Sequence, residues 1–208
     1  MDEKHSDVNV IANTGLAVRS YAVPAGATDV IPAVAQISRQ ETSNWCWAAV
    51  ITSIVAAKAH PPNPAYTQHC QLAQAVLSLT DGDCCGADKS RCNQALPRDR
   101  IAGTSATSPL AIAGIGTQPP AWSDNQVADT AIKTALRGGK PTCLVIEWPS
   151  LDLHVVAIVG AAIQGGVQQY LIGDPQDGLC HWFPRASIQH YSEYTGAGGV
   201  WRDSYVTI

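Results

Sequence analysis

Apolar residues first settle into a clear period after Asn44. Trp47, Val50, Ile51, Ile54 and Val55 recur at three- and four-residue spacing, which predicts an amphipathic helix with one inward stripe. Asn44 is placed to cap it, because its side-chain oxygen can accept from an orphan backbone N–H, and Pro61-Pro62 stops it. A second helix is expected over Cys70 to Leu79, with Leu72, Val76 and Leu79 inward. The polar stretch Asp81 to Arg100 predicts a loop, and residues 103–120, rich in small residues, Gly, Ser and Pro, suit a link between two lobes. A third helix, about Asn125 to Arg137, takes Asp124 or Ser123 as cap and Gly138 as its closing residue. The pattern then changes. Thr142 to Trp148, His154 to Ala161 and Gln168 to Gly173 are short β-rich runs separated by turn residues. Helices followed by a strand meander predict an α+β fold with two subregions facing each other. Residues 1–30 lack helical periodicity. Ala17 to Val23 suits a strand ended by Pro24, and this part is expected to be an arm or extension ahead of one domain, 31–208.

Composition narrows the class more than the function. The 208 residues are 46% hydrophobic and 14% charged, enough to bury a substantial core and unlike a disordered chain. The net charge of −4 comes without a basic patch, so nucleic-acid binding is not expected. No stretch reaches the roughly 20 apolar residues of a membrane span. Met1 to Val10 does not resemble a secretory signal peptide. The 7 cysteines are nonetheless many for a cytosolic protein. The expectation is therefore secretion, or delivery into a target cell by a specialised apparatus, with cytoplasmic residence as the alternative.

Cys46 is the candidate nucleophile. It falls at the second or third residue of the capped helix, where unpaired N–H groups supply about half a positive charge and favour thiolate. Gln40, six residues upstream, offers an amide donor for an oxyanion hole. The competing reading is an inert buried cysteine.

A thiol nucleophile needs a base held by a third polar group. Of six histidines, His5 lies in the tail, His60 abuts a Pro pair, His69 starts a helix, and His181 and His190 fall in late loops or strand ends. His154 differs, because it begins the apolar run Val155-Val156-Ala157-Ile158-Val159 and so sits at a sheet rim. The following strand ends at Gly173-Asp174-Pro175. With a hairpin turn at Gln164 to Gly166, counting outward sets His154 beside Asp174 within a residue or two of register. An Asp there fixes the imidazole tautomer. The competing reading is a rim histidine and an ordinary turn Asp before Pro.

The segment Gln40-Glu41-Thr42-Ser43-Asn44-Trp45-Cys46-Trp47-Ala48-Ala49 resembles the nucleophile segment of papain-like cysteine peptidases of the bacterial avirulence-effector type. In papain itself a Gln precedes the Cys by six and a Trp follows it. The likeness continues at Cys70-Gln71-Leu72-Ala73, Cys84-Cys85, Cys92-Asn93, Gly139-Lys140-Pro141 with Cys143, His154-Val155-Val156 and Gly173-Asp174-Pro175. It runs, with gaps, from about residue 31 to the end. The resemblance implies a two-lobed papain-like fold, a helical lobe facing an antiparallel-sheet lobe. It also implies a triad of Cys46, His154 and Asp174, with Gln40 in the oxyanion hole, and peptide-bond cleavage. The third member is Asp where papain has Asn, as in the effector-type members. Residues before 30 have no counterpart.

Cys70, Cys84, Cys85 and Cys92 fall within 23 residues. Adjacent cysteines rarely bond each other, so two crosslinks would join 84 and 85 to 70 and 92. A zinc site is the rival, weakened by the lack of a C-x₂-C pair. Cys143 suits a buried strand position, or a pairing with Cys180. The expected activity is a thiol endopeptidase acting on protein or peptide substrates. It needs no cofactor or metal and acts as a monomer, in the role of an effector or toxin with a cognate inhibitor or immunity protein. The alternatives are another acyl transfer on the same triad (transglutaminase or peptidoglycan amidase) or a non-catalytic binding module with this fold.

Overall fold

The computed structural model describes residues 21–57, 66–79, 84–101, 106–116, 127–191 and 198–207. Its centre is an antiparallel sheet. The strands are β1 (Thr28–Ile31), β2 (Thr142–Glu147), β3 (Leu153–Gln164), β4 (Val167–Asp174), β5 (Leu179–Pro184), β6 (His190–Tyr191) and β7 (Gly199–Val206). They lie in the order β5-β4-β3-β2-β7-β6, with β1 paired to the far end of β3. The helices are α1 (Cys46–Ala57), α2 (His69–Leu77), α3 (Arg98–Ile101), α4 (Pro109–Ile112), α5 (Asp129–Arg137) and α6 (Arg185–Gln189). The fold is mixed α+β.

The sheet is covered on both faces, which is why β2 and β3 read as continuous apolar runs rather than alternating ones. Cys143, Val145, Val155, Ala157, Val159 and Leu171 pack with α1 and α2, around Ile51, Ile54, Leu72 and Val76. Leu144, Ile146, Val156, Ile158 and Ile172 turn the other way, onto Ile132 and Leu136 of α5 and Ile188 of α6. Helix α1 is buried along Cys46 to Val55, polar Thr52 and Ser53 included. These two hydroxyls are satisfied by the Ala48 and Ala49 carbonyls one turn back. The stripe expected on α1 is thus the inner part of a central helix.

Several expectations need correction. Helix α1 begins at Cys46 itself, and Asn44 does not act as its cap. Its backbone N–H donates to Asn93 Oδ1 (2.9 Å) and its side-chain amide to Asn93 O (3.0 Å). The second helix starts at His69 and ends at Leu77, where Ser78 takes a left-handed φ of 52°. The polar stretch before residue 100 holds a 3₁₀ turn at Ser90–Cys92 as well as the start of α3. In the expected link, α4 carries Leu110 into the core beside α1 and α2. The third helix begins at Asp129, and its expected caps Ser123 and Asp124 lie outside the described residues. So do Pro61-Pro62 and most of the 17–23 strand. Strand β1 straddles residue 30, the expected end of the arm, and Trp182 Nε1 donates to Ala22 O (2.9 Å).

Cys70–Cys85 and Cys84–Cys92 are disulfides, which resolves the pairing and removes the zinc alternative for these four. Cys143 and Cys180 are not paired; both are buried free thiols. They stand on β2 and β5, three strand spacings or about 14 Å apart, beyond the reach of a bridge. Burial pushes the Cys143 pKa up to about 12 and raises that of Cys180, so neither is a ready nucleophile.

Candidate active site

Cys46 opens α1 and is 6% exposed. As the first helical residue its backbone N–H has no intrahelical acceptor. The turn before it is held from outside. Trp45 is fully buried and its Nε1 donates to Cys92 O (2.7 Å), while Asn93 Nδ2 donates to Ser43 Oγ (3.0 Å). With the two bonds between Asn44 and Asn93, these contacts fasten residues 43–45 to the segment that the Cys84–Cys92 disulfide closes.

His154 is the second residue of β3, opposite Ile146 of β2, and Asp174 is the last residue of β4. The β3–β4 hairpin turns at Gly165-Gly166, both at positive φ, so Gln164 faces Val167. A register shift at Val159 moves the pairing by one, so that Ala157 faces Gly173. His154 Nε2–H donates to Asp174 Oδ1 (2.9 Å) in a buried pair. Asp174 is 1% exposed, and the same oxygen accepts from the Gln176 N–H (2.8 Å). Burial alone would lower the His154 pKa. Hydrogen bonds to Asp174 and to Cys46, with the charges of both, outweigh it and push the value up to about 10. The Trp148 indole stacks on the imidazole at 6.2 Å between centroids.

The Gly173-Asp174-Pro175 sequence also fixes Gln40. A Cβ at Gly173 would meet Ile37 Cγ1 at 2.3 Å, so only glycine lets the 37–40 segment lie against β4. The Gln40 N–H then donates to Pro175 O (2.7 Å). The Gln40 side-chain amide donates one hydrogen to Ser43 O (2.9 Å) and retains a second. Its Oε1 is buried and finds no partner among the described residues.

Cys46, His154 and Gln40 line one cleft of roughly 410 Å³, with Trp47, Leu96, Trp148 and Gln176 among its other walls. The chain therefore brings the predicted nucleophile, base and amide donor to one cavity, with Asp174 behind the base. Two other histidines, His69 and His181, have partners of their own. Buried His69 bonds Ser38 Oγ (2.8 Å) and approaches Glu41, and burial lowers its pKa. His181 pairs with Asp177 (3.1 Å), and His190 begins β6. Asn93, Trp148, Asp152 and Gln176 carry no signal in the sequence as site residues; only the adjacency of Asn93 to Cys92 hinted at its place. No cluster able to hold a metal ion is found among the described residues, and no helix among them is long and apolar enough to cross a membrane.

Searched against models of protein families the chain matches none, and no curated protein matches it significantly.

Proposed function

We propose that the chain is a cysteine endopeptidase of the papain-like, avirulence-effector type, with Cys46 as nucleophile, His154 as base and acid, and Asp174 as orienter. The observation that carries this reading is the buried His154–Asp174 hydrogen bond at 2.9 Å, in a cleft shared with Cys46 at the start of α1. Nε2 is committed to Asp174, so Nδ1 is the nitrogen left for the thiol. The imidazolium and the thiolate form an ion pair before substrate arrives. The sulfur attacks the scissile carbonyl, and the second N–H of Gln40 with the Cys46 backbone N–H holds the developing oxyanion. Nδ1 gives its proton to the leaving amine, which departs with the C–N bond electrons. Water then attacks the thioester, His154 takes its proton, and the acid leaves as the sulfur is released.

A two-lobed arrangement is supported by the division of the core, since α1, α2 and α4 gather on the face of the sheet that Cys46 serves. The two disulfides favour export or delivery out of a reducing cytosol. A role as effector or toxin, with an immunity protein as inhibitor, follows the sequence resemblance.

The test is mass spectrometry of a proteome digested with the wild-type protein and with Cys46→Ala. New peptide termini with the first and none with the second are expected. Equal cleavage by both sinks the proposal. Amine incorporation or muropeptide release without new termini moves the chemistry to a transglutaminase or an amidase, and slow alkylation of Cys46 by iodoacetamide, no faster than a free thiol, to a binding module.

A further inference from the structure

One wall of the cleft takes no part in that chemistry. The turn between β2 and β3, residues 148–152, supplies Trp148 and Asp152 to the lining, and Leu153 follows at the start of β3. The turn is closed by two backbone bonds, Trp148 N–H to Asp152 O (2.9 Å) and Leu151 N–H to Trp148 O (2.8 Å). Leu151 accepts a left-handed φ of 67° to complete it, a conformation that a branched apolar residue rarely adopts. Ser150 Oγ donates to Asp152 Oδ2 (2.8 Å), which aims the carboxylate from one side. The turn therefore holds an anion in a set position beside the aromatic ring that covers the catalytic imidazole.

The charges around it make Asp152 distinctive. Among the described residues it is the one acidic side chain that lines the cleft, and no Lys or Arg among them lines it. Nearby Glu41 is already engaged by Lys89 and His69. Arg98 is spent on Asp203, and Arg202 on Glu147. Among the described residues no cation pairs with Asp152. The His154 imidazolium is matched by the Asp174 carboxylate behind it, so Asp152 gives the described lining of the cleft its negative charge.

We infer that Asp152 is a specificity residue that selects a cationic side chain, Arg or Lys, on the substrate peptide, with the methylene stem resting on Trp148 and Leu153. This rests on the peptidase reading and names the substrate class of the same site. Long cationic side chains lay their stems on apolar surface while the head group seeks an anion, and the turn offers both within one short segment. Because the site is open to water, the gain is modest and sensitive to salt.

The experiment uses fluorogenic peptide libraries in which each position is set in turn to Arg or to citrulline, which has nearly the same shape without the charge. At one position next to the cleaved bond or within two residues of it, the wild type is expected to favour Arg by roughly fivefold in kcat/KM. That ratio falls toward one in Asp152→Asn, reverses in Asp152→Lys, and shrinks as salt rises from about 0.05 to 0.5 M. The same peptides are titrated calorimetrically into Cys46→Ala and into Cys46→Ala/Asp152→Asn, an arm that needs no turnover. Tighter binding of the Arg peptide to the first protein alone supports the assignment even if the wild type cleaves nothing, a result that would count against the peptidase reading only. Equal handling of Arg and citrulline by the wild type, or an Arg preference that survives Asp152→Asn, overturns it.

Discussion

The charge on His154 depends on two partners, and they can be separated by substitution. Its imidazolium is desolvated, yet the carboxylate of Asp174 and the Cys46 sulfur keep it protonated up to a pKa of about 10. Asp174→Asn keeps the shape and removes the charge, so the His154 pKa is expected to fall. In the proposed mechanism this ring serves as both base and acid, so the alkaline limb of the kcat/KM profile is expected to move to lower pH and kcat to drop. The stability linkage has a definite sign. The folded pKa lies above the unfolded value of about 6.5, so His154 contributes fully below that pH and loses its contribution as pH rises toward 10. An imidazole proton titration by NMR, with urea unfolding across the same range, reads both effects. An unmoved imidazole pKa in Asp174→Asn would show that Asp174 only orients the ring. This pair was legible in the sequence because a hairpin converts distance along the chain into register, and the two-glycine turn fixed the origin of the count. The shift at Val159 moves the pairing one residue toward Asp174, and the offset of two that remains lies within the tolerance of the argument. Asp152 was not legible, because nothing local marks which of the 17 acidic residues faces a cleft.

The start of α1 is fastened from a distance. Its Asn44 reads as a cap by type and position, but its polar groups go to Asn93, which stands next to a disulfide cysteine. A local rule failed there because a tertiary clamp offered the same groups better partners. The cysteine spacing, by contrast, was informative: adjacent cysteines cannot close on each other, and the two bridges found are among those allowed. Cys84 and Cys92 are eight residues apart, and closing a loop of that size is worth about 2.5 kcal/mol in the chain-entropy view. Opening this bridge leaves the segment after Cys85 held by disulfide only through Cys70–Cys85, and loosens the contacts of Cys92 and Asn93 on Ser43, Asn44 and Trp45. Cys92→Ser is therefore expected to lower thermal stability and to reduce kcat more than it raises KM, because the nucleophile and the Gln40–Ser43 contact lose their support. Differential scanning fluorimetry with steady-state kinetics measures both. A variant of lower stability with unchanged kcat would show that the clamp serves folding alone.

At the scale of the molecule, the two faces of the sheet are equally buried but differ in what they hold. One carries α1 and therefore Cys46; the other carries α5 and α6, neither of which contributes a described residue to the lining of the cleft. The continuous apolar runs of β2 and β3 showed the strands but not this division. A run buried on both faces has no alternation from which to tell one from the other, and α5 shows its partner only through packing. The division gives a prediction that separates stability from catalysis. Ile54 of α1 and Leu136 of α5 are both fully or almost fully buried, at 0% and 1% exposure. Replacing either by Ala leaves a cavity and is expected to cost about 2–5 kcal/mol. The Ile54 cavity lies under the helix that aims the thiol, and misplacement of a reacting atom by even part of an ångström is expensive in rate. At a temperature where each variant is fully folded by circular dichroism, Ile54→Ala should lose kcat by about tenfold or more while Leu136→Ala keeps the wild-type kcat/KM. Equal losses in the two folded variants would mean that the sheet transmits strain from one face to the other. The nucleophile would then be positioned by the whole core, with α1 having no special part in its aim.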